Sequence, residues 1–296
     1  MTTVTNVVVS SSGRPVIICD VSPPRGGSSG SPTEVADIDA DFLSVAYNPG
    51  QSVRVSSVFI ASYLQEGLGK PAVFTLATRD MNRIAVQSLL LGAHWQGLRN
   101  VVVVRGDPIQ SRDTGRVTTV SDYTTTSLLT DIVGMNRALD FRGLALAAPT
   151  RFCAGATVDL SKGADREISL AVRKVNAGAE YLLAQSHFGV HDLVNLRRRM
   201  SQGPNVQIPV FAGVQILSHD GIDFGNVPDD IRNELDSGRS GLDIARQLVF
   251  DLWSEGISTF YVLPTILQRG LRDYKAASEL IEYIRTLPSS PFNASR

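Results

Sequence analysis

The chain has 296 residues, of which 43% are hydrophobic and 19% are charged, and its formal net charge is -1. This composition is typical of a globular protein with a large core, and the near-zero charge argues against nucleic acid and anionic membranes as partners. Two cysteines are too few for a disulfide framework or a zinc site, so we expect a cytoplasmic protein without a bound metal. No apolar run reaches the length of a membrane span, and the polar start MTTVTN does not resemble a secretion signal.

The N-terminal segment, residues 1–14, is polar, and we expect it to lie on the outside of a single domain formed by residues 15–296. Within that domain, apolar runs of strand length alternate with stretches of helical spacing. The predicted strands cover residues 16–19, 42–46, 73–77, 101–104, 144–148, 181–184, 208–214 and 257–263. The predicted helices cover residues 56–65, 83–96, 124–139, 166–177, 190–200, 228–235, 242–255 and 276–287.

The stretch 73–108 shows the repeating unit most clearly. A short apolar run is followed by a helical pattern that ends at Gly97, and residues 101–104 then form a continuous run of valines. A run that is apolar on both faces is typical of a parallel strand covered by helices. Residues 154–164 are predicted to be a loop. Eight such strands alternating with helices, without a linker, predict an α/β protein with a single (β/α)8 TIM barrel.

In such a barrel, the residues that follow the strands meet at one mouth, where the chemistry is placed. These residues are Asp20, Tyr47, Thr78, Arg79, Asp80, Asp107, Arg151, Gln185, His187, Gln215 and Pro264. The set contains no dense cluster of metal ligands and no lysine for a Schiff base, and the chain has no glycine-rich dinucleotide motif. The residues alone predict an enzyme that binds a neutral or polar heterocycle and carries one acidic proton donor.

Each candidate residue also has a purely structural interpretation. Asp107 could cap a helix or anchor a turn, and Asp20 could form a salt bridge with Arg25. His187 is placed to line a ligand pocket, but a single histidine at a strand end is often structural. These alternatives stay open at the level of the sequence.

Five segments carry a resemblance to a known family: VIICDVSPPR, FLSVAYNPG, RDMNRIAVQSLLLGAHWQGLRNVVVVRGDP, VRKVNAGAEYLLAQ and NVPDDIRNEL. In this order they resemble the methylenetetrahydrofolate reductase family, and most closely the branch fused to homocysteine methyltransferases. The resemblance covers most of residues 15–287. It implies a barrel enzyme of one-carbon metabolism and methionine biosynthesis, which passes hydride from NAD(P)H to 5,10-methylenetetrahydrofolate and yields 5-methyltetrahydrofolate.

The resemblance also implies roles for residues at the mouth. Asp107 and Gln185 match residues that hold the pterin ring, and His187 and Gln215 are expected beside the same substrate. Asp20 stands where the family has its catalytic acid, a Glu, which protonates a folate amine so that the five-membered ring opens to an iminium. Asp offers the same chemistry but reaches one methylene less, and an apolar neighbourhood would raise the pKa of such an acid.

The cofactor residues that the resemblance implies are Tyr47, Thr75, Thr78, Arg105, Gly106, Arg173 and Lys174. Two positions depart from the family pattern, because Ala46 replaces a usual Thr and Thr75 replaces a common flavin-contacting His. The segment APTRFCAGA also stands in place of the family's phosphate- and adenosine-binding sequence after strand five. NAD(P)H is the implied hydride donor. Whether FAD is bound stays open, since some actinobacterial relatives transfer hydride without a flavin.

Three functions are therefore compatible with the sequence. The leading one is reduction of methylenetetrahydrofolate. The same chemistry could run in the oxidising direction on methyl-folate, or the barrel could be a non-catalytic folate-binding or partner subunit. The expected partners besides tetrahydrofolate are a second copy of the chain or a methyltransferase.

Overall fold

The computed structural model describes residues 2–27, 33–202, 208–223, 225–267 and 270–289. Eight strands in it build the barrel: β1 Val16–Val21, β2 Phe42–Val45, β3 Ala72–Ala77, β4 Asn100–Val104, β5 Cys153–Val158, β6 Tyr181–Ser186, β7 Val210–Gln215 and β8 Thr259–Leu263. Each strand pairs in parallel with its neighbours in the chain, and β8 pairs with β1 to close the ring. The predicted (β/α)8 TIM barrel is confirmed.

Helices cover the outside of the barrel. Within the described ranges they are α1 Val4–Ser10, α2 Ser57–Leu68, α3 Arg83–Trp95, α4 Thr125–Met135, α5 Ala164–Asn176, α6 Val190–Met200, α7 Asp229–Asp236, α8 Gly241–Ser254 and α9 Tyr274–Thr286. A small antiparallel hairpin of β9 Thr265–Ile266 and β10 Arg272–Asp273 lies between β8 and α9. None of these described helices is long and apolar enough to cross a membrane.

The alternation of side chains along each strand separates two apolar layers. In β1, Ile17 and Cys19 pack against the surrounding helices, whereas Val16 and Ile18 belong to the cluster in the lumen. Asp20 continues the lumen series, and it is 4% exposed although its neighbours in the chain are apolar. Because side chains on a strand alternate between its two faces, the carboxyl group of Asp20 points into the barrel.

Helix α1 closes the amino end of the barrel, and among residues 2–14 only Val4 is buried. Val4 is fully buried in the lumen cluster beside Val16, the first residue of β1. The Val4 N–H donates to Asn100 Oδ1 over 2.9 Å, and Asn100 Nδ2 donates to the Thr2 carbonyl over 3.1 Å. Four of the seven residues of α1 are valines, and one side of the helix covers the lumen.

The fifth strand does not lie where the sequence predicted it. Residues 144–148 belong to the connection between α4 and β5, and Leu144 in this run is exposed. The helix before this connection ends at Met135 rather than at residue 139. Because β5 begins at Cys153, Arg151 precedes the strand and is not at the mouth. The segment APTRFCAGA thus contains the start of β5, and its comparison with a sequence that follows strand five was wrong.

Small residues in β5 explain why it did not look like a strand. A Cβ on Gly155 would lie 2.4 Å from ring atoms of Tyr181, closer than real Cβ atoms come to other atoms. The Tyr181 ring fills the lumen at this point, and its hydroxyl donates to the Val101 carbonyl over 3.2 Å. Packing a large ring from β6 therefore requires a residue without a side chain on β5.

We expect Val4→Ala to lower the free energy of unfolding by about 1–3 kcal/mol, because it removes buried methyl groups and leaves a cavity. Val9→Ala is the matched control, since Val9 lies on the same helix but is exposed, and its effect should stay within about 0.5 kcal/mol. Urea unfolding of the two variants measures the difference. Equal effects would show that α1 does not close the barrel.

Candidate active site

A cavity of about 130 Å³ opens at the carboxyl end of the strands. Its polar lining consists of Asp20, Ser44, Tyr47, Thr75, Thr157, Gln185, Tyr261 and Arg272. Ligand pockets usually measure about 300–1,000 Å³. The cavity is therefore large enough for the edge of a ring system, and the rest of a ligand of folate size must lie above it.

Asp20 is the charged group on the floor of this cavity, and both of its carboxylate oxygens have partners. The Tyr261 hydroxyl donates to Oδ1 over 2.9 Å, and Arg272 Nη2 donates to Oδ2 over 3.1 Å. The side chains of Arg272 and Asp20 are only 3% and 6% exposed, so this is a buried ion pair. The sequence had offered Arg25 as a salt-bridge partner of Asp20, and the structure pairs it with Arg272 instead.

The surroundings of Asp20 act on its proton affinity in opposite directions. Burial disfavours the charged form and raises the pKa of the Asp20 carboxyl above its usual range. The Arg272 guanidinium and the Tyr261 hydroxyl favour the carboxylate and counteract part of this effect on the pKa. Asp20 is consequently an acid that keeps its proton at higher pH than a solvated aspartate.

The hairpin after β8 positions Arg272. In this hairpin Arg272 pairs with Ile266, and the following residues start α9. The Ser22 N–H, directly after β1, donates to the Tyr274 hydroxyl oxygen over 3.1 Å, which fastens the start of α9 to the end of β1. Sequence reasoning missed Arg272 because a two-residue strand has no recognisable periodicity.

Gln185 continues the lumen series of Tyr181 and Leu183 on β6, and the pairing of β6 with β7 is irregular at this point. Leu183 pairs with Phe211, but Ser186 pairs with Gly213, so β6 carries one extra residue between these pairs. Bulges of this kind are over-represented next to active sites. A Cβ on Gly213 would lie 2.3 Å from the Ala184 carbonyl oxygen, so the bulge requires a glycine on β7. The predicted substrate residue Gln185 does line the cavity.

Asp107 lies outside the cavity lining, in the connection after β4. Its side chain is exposed, and its carbonyl accepts a hydrogen bond from Arg79 Nη1 over 2.6 Å. Arg79 also holds Asp80 through two contacts, Nε–Oδ1 at 2.5 Å and Nη2–Oδ2 at 2.8 Å. Arg79 thus anchors the Asp107 backbone, and the carboxylate of Asp107 stays accessible to a ligand above the cavity.

The other two predicted substrate residues are engaged elsewhere. His187 Nε2 lies 2.9 Å from Asp192 Oδ2 at the start of α6. Gln215 is 1% exposed, and its Nε2 donates to the Ile222 carbonyl over 2.8 Å. Neither residue lines the cavity. Their positions fit a role in holding the loops that follow β6 and β7.

Two of the predicted cofactor residues, Tyr47 and Thr75, line the cavity. Burial and the nearby Asp80 carboxylate raise the pKa of Tyr47 to about 12, so its hydroxyl is a neutral donor at physiological pH. Thr75 projects from β3 at the level where Asp20 projects from β1. Both are available to a ligand that enters the mouth.

The other five predicted cofactor residues, Thr78, Arg105, Gly106, Arg173 and Lys174, do not line the cavity. Lys174 is buried between α5 and β5, where its Nζ donates to the Thr157 carbonyl over 2.6 Å, and Arg173 is exposed on α5. The Thr78 hydroxyl donates to the Arg105 carbonyl over 3.4 Å, and Gly106 packs against the Arg79 side chain. These five residues lie outside the cavity lining, and their role as cofactor contacts stays a prediction. Among the residues described, no three His, Cys, Asp or Glu side chains are grouped to hold a metal ion.

Comparisons with known proteins agree on a family and a fold. The family model of methylenetetrahydrofolate reductase matches residues 11–222. A curated relative, methylenetetrahydrofolate reductase 2 of Schizosaccharomyces pombe, is 25% identical over 181 residues, which is 58% of this chain and 27% of the relative. The chain thus matches only about a quarter of that relative's length.

Two solved structures share the fold. A Clostridium thermocellum protein, described as binding two copies of 5-methyl-5,6,7,8-tetrahydrofolic acid, superposes with a TM-score of 0.66 and 12% identity, covering 96% of this chain and 99% of that one. A putative lyase/mutase from Burkholderia cenocepacia J2315 has a TM-score of 0.50 and 16% identity, covering 95% and 85%. At these identities the likeness concerns the fold.

We expect Arg272→Met to make stability depend on pH. Without the guanidinium, the pKa of buried Asp20 rises further, so the variant loses stability relative to the parent as pH increases through that pKa. Breaking a buried pair costs about 3–5 kcal/mol when the remaining charge is unpaired, so the difference should be largest near pH 8 and small near pH 4. Denaturant unfolding over this range measures it.

Arg246→Met is the matched control for this experiment, because Arg246 forms a surface ion pair with Asp243 at 3.3 Å. Its effect should be under about 1 kcal/mol, as for other exposed pairs. If Arg272→Met showed the same flat pH dependence as Arg246→Met, the buried pair would not exist in solution.

Proposed function

Because the chain belongs to the methylenetetrahydrofolate reductase family, we propose that it reduces 5,10-methylenetetrahydrofolate to 5-methyltetrahydrofolate with hydride from NAD(P)H. The observation that carries this proposal is the buried Asp20 carboxyl on the floor of the mouth, which shares one cavity with Gln185. The family match to residues 11–222 includes both of these positions.

Asp20 supplies the proton in this reaction. Its raised pKa allows the carboxyl to arrive protonated and to donate to the folate amine that leaves the bridging carbon. The bond between that nitrogen and the methylene carbon then breaks, and the remaining iminium carbon accepts the hydride. One proton and one hydride convert the bridging methylene into a methyl group.

Arg272 and Tyr261 act on the carboxylate that remains after the proton has left. Their hydrogen bonds of 3.1 and 2.9 Å to the two Asp20 oxygens are already in place, so no reorganisation is needed when the negative charge forms. Hydrogen bonds to charged groups contribute about 1.5–3 kcal/mol each. Arg272 and Tyr261 therefore favour the Asp20 carboxylate that forms on proton transfer. Burial favours the protonated carboxyl group before the transfer.

Gln185 fits the edge of a pterin ring. Its amide offers both a donor and an acceptor, which match a heterocycle that presents both kinds of group. In this proposal the exposed carboxylate of Asp107 accepts hydrogen bonds from an amino-pyrimidine edge that extends beyond the cavity. Because the cavity of about 130 Å³ holds only part of a ligand, the tail of the folate lies outside it.

Hydride transfer in this proposal runs directly from NAD(P)H to the folate. Two of seven expected cofactor residues line the cavity, and Lys174 is occupied by a strand carbonyl. The placement of these side chains gives no support to a resident flavin. Both substrates would then occupy the mouth together.

We expect Asp20→Asn to lower the turnover of methylenetetrahydrofolate reduction by about 10²–10⁴-fold, the usual contribution of general acid catalysis. The amide keeps the shape of the side chain but has no acidic proton. Parental activity should fall as pH rises through the raised pKa of Asp20, because the protonated form is the active one. The measurements are NADH oxidation at several pH values and folate affinity, which should change little.

Asp20→Glu is the informative companion, since it restores the acid of the family and should retain substantial activity. Asp243→Asn makes the same chemical change on the surface of α8 and controls for non-specific effects. A parental rate for Asp20→Asn would mean that the proton comes from another group. Folate binding without turnover in either direction would identify a non-catalytic barrel instead.

Steady-state kinetics distinguish direct transfer from transfer through a flavin. Because both substrates must be present together for direct transfer, we expect intersecting lines in double-reciprocal plots at several NADH concentrations. A flavin that meets NADH and folate in turn would give parallel lines, and the purified protein would contain about one flavin per chain. That combination would contradict direct transfer and leave the role of Asp20 intact.

A further inference from the structure

Residues 105–110 follow the carboxyl end of β4 as an irregular connection. They include Asp107, whose exposed carboxylate meets the amino-pyrimidine edge of the folate in the proposed function. An exposed segment without regular structure keeps one conformation only when other groups hold its backbone. The position of the Asp107 carboxylate therefore depends on side chains from the neighbouring loops.

Gln51, in the turn after β2, holds this connection at two points. Its side-chain Nε2 donates to the Pro108 carbonyl, and its Oε1 accepts a hydrogen bond from the Gln110 N–H over 3.2 Å. The donor and the acceptor of one amide are thus both used on the backbone that directly follows Asp107. Two contacts from one planar group fix the orientation of the segment as well as its distance from the turn.

The turn that carries Gln51 has an unusual backbone conformation. Gln51 has a φ of 58°, in the left-handed region, and the preceding Gly50 has a φ of 63°. This region is unfavourable for a residue with a long side chain, and such residues are concentrated at functional sites, where the surrounding structure holds them. The same turn contains Tyr47 and Pro49, which line the cavity. The strained turn thus joins the wall of the cavity to the connection that carries Asp107.

Two residues directly after β3 hold the same connection at earlier points. The Thr78 hydroxyl donates to the Arg105 carbonyl over 3.4 Å, and Arg79 Nη1 donates to the Asp107 carbonyl over 2.6 Å. With Gln51 on the next carbonyl, the backbone is held at Asp107 itself and immediately after it. The loops after β2 and β3 together determine where this carboxylate lies.

We propose that Gln51 is a positioning residue for the substrate, which fixes residues 108–110 and so presents the Asp107 carboxylate to the amino-pyrimidine edge of the folate. This inference rests on the proposed function, which places that edge at Asp107. A segment that is already ordered loses little conformational freedom when the ligand binds, and affinity is higher for that reason. Gln51 acts on binding and not on proton transfer, because Asp20 is held by other groups.

Gln51→Asn tests this role, since Asn keeps the amide and tolerates a left-handed backbone but is one methylene shorter. The dissociation constant of 5-methyltetrahydrofolate, measured by calorimetry on the full chain, should rise by about 3- to 10-fold, the size of one net hydrogen bond. The KM for methylenetetrahydrofolate should rise likewise, with kcat at the parental value. Hydrogen exchange at the Gln110 amide should become faster, because its acceptor is lost.

Gln65→Asn is the matched control. Gln65 Nε2 also donates to a backbone carbonyl, that of Gly97, over 3.2 Å, but Gln65 lies on α2 outside the barrel. The same shortening there should leave folate affinity unchanged. A Gln51→Asn variant that binds folate as tightly as Gln65→Asn, or that leaves exchange at the Gln110 amide unchanged, would overturn the role of Gln51 alone. A parent chain that binds no folate would overturn the proposed function as well.

A double variant shows whether Gln51 acts through Asp107. Asp107→Ala removes the carboxylate, so adding Gln51→Asn to it should cause no further loss of folate affinity. Residues that act as a unit give such non-additive free energies, whereas independent sites add. If the two losses of affinity multiplied in the double variant, Gln51 would support binding by a route other than Asp107. That result would overturn the positioning role.

Discussion

The ion pair between Asp20 and Arg272 joins the first strand of the barrel to the hairpin after the last one. A carboxylate inside a lumen lined by Ile18 and Phe42 would be very unfavourable without partners. Arg272 and Tyr261 supply them from the end of the chain that closes the ring. The chemistry at the mouth therefore depends on correct closure of β8 against β1, and folding and function are linked through these side chains.

The opposite end of the lumen is closed by different means. Helix α1 places Val4 in the lumen cluster, and the Tyr181 ring fills the space above it. These groups fill the lumen below the cavity at the mouth. An acid near the carboxyl ends of the strands is then shielded from water from below, and a ligand at the mouth can complete the shielding from above. Such exclusion of water sustains the raised pKa of Asp20.

How far the sequence predicts this structure depends on how local each signal is. The strand alternation places Asp20 in the lumen, and the same period applies to Gln185, so both could be found from sequence. The sequence did not reveal strand β5 because its residues are small. Gly155 must lack a side chain to leave room for the ring of Tyr181, which lies in a different strand. Arg272 was missed for a similar reason, since only the closed barrel brings it to Asp20. Contacts between residues about 250 positions apart leave no periodic pattern in the chain.

The measurement that tests the central claim most directly is an experimental structure of the protein with 5-methyltetrahydrofolate bound. If Asp20 is the proton donor, its carboxyl oxygen should lie within hydrogen-bonding distance, about 2.6–3.2 Å, of the amine nitrogen that leaves during reduction. Gln185 should contact the pterin ring in the same complex. A folate whose ring lies outside the mouth, with the Asp20 carboxyl still turned away from it toward Arg272, would contradict the account.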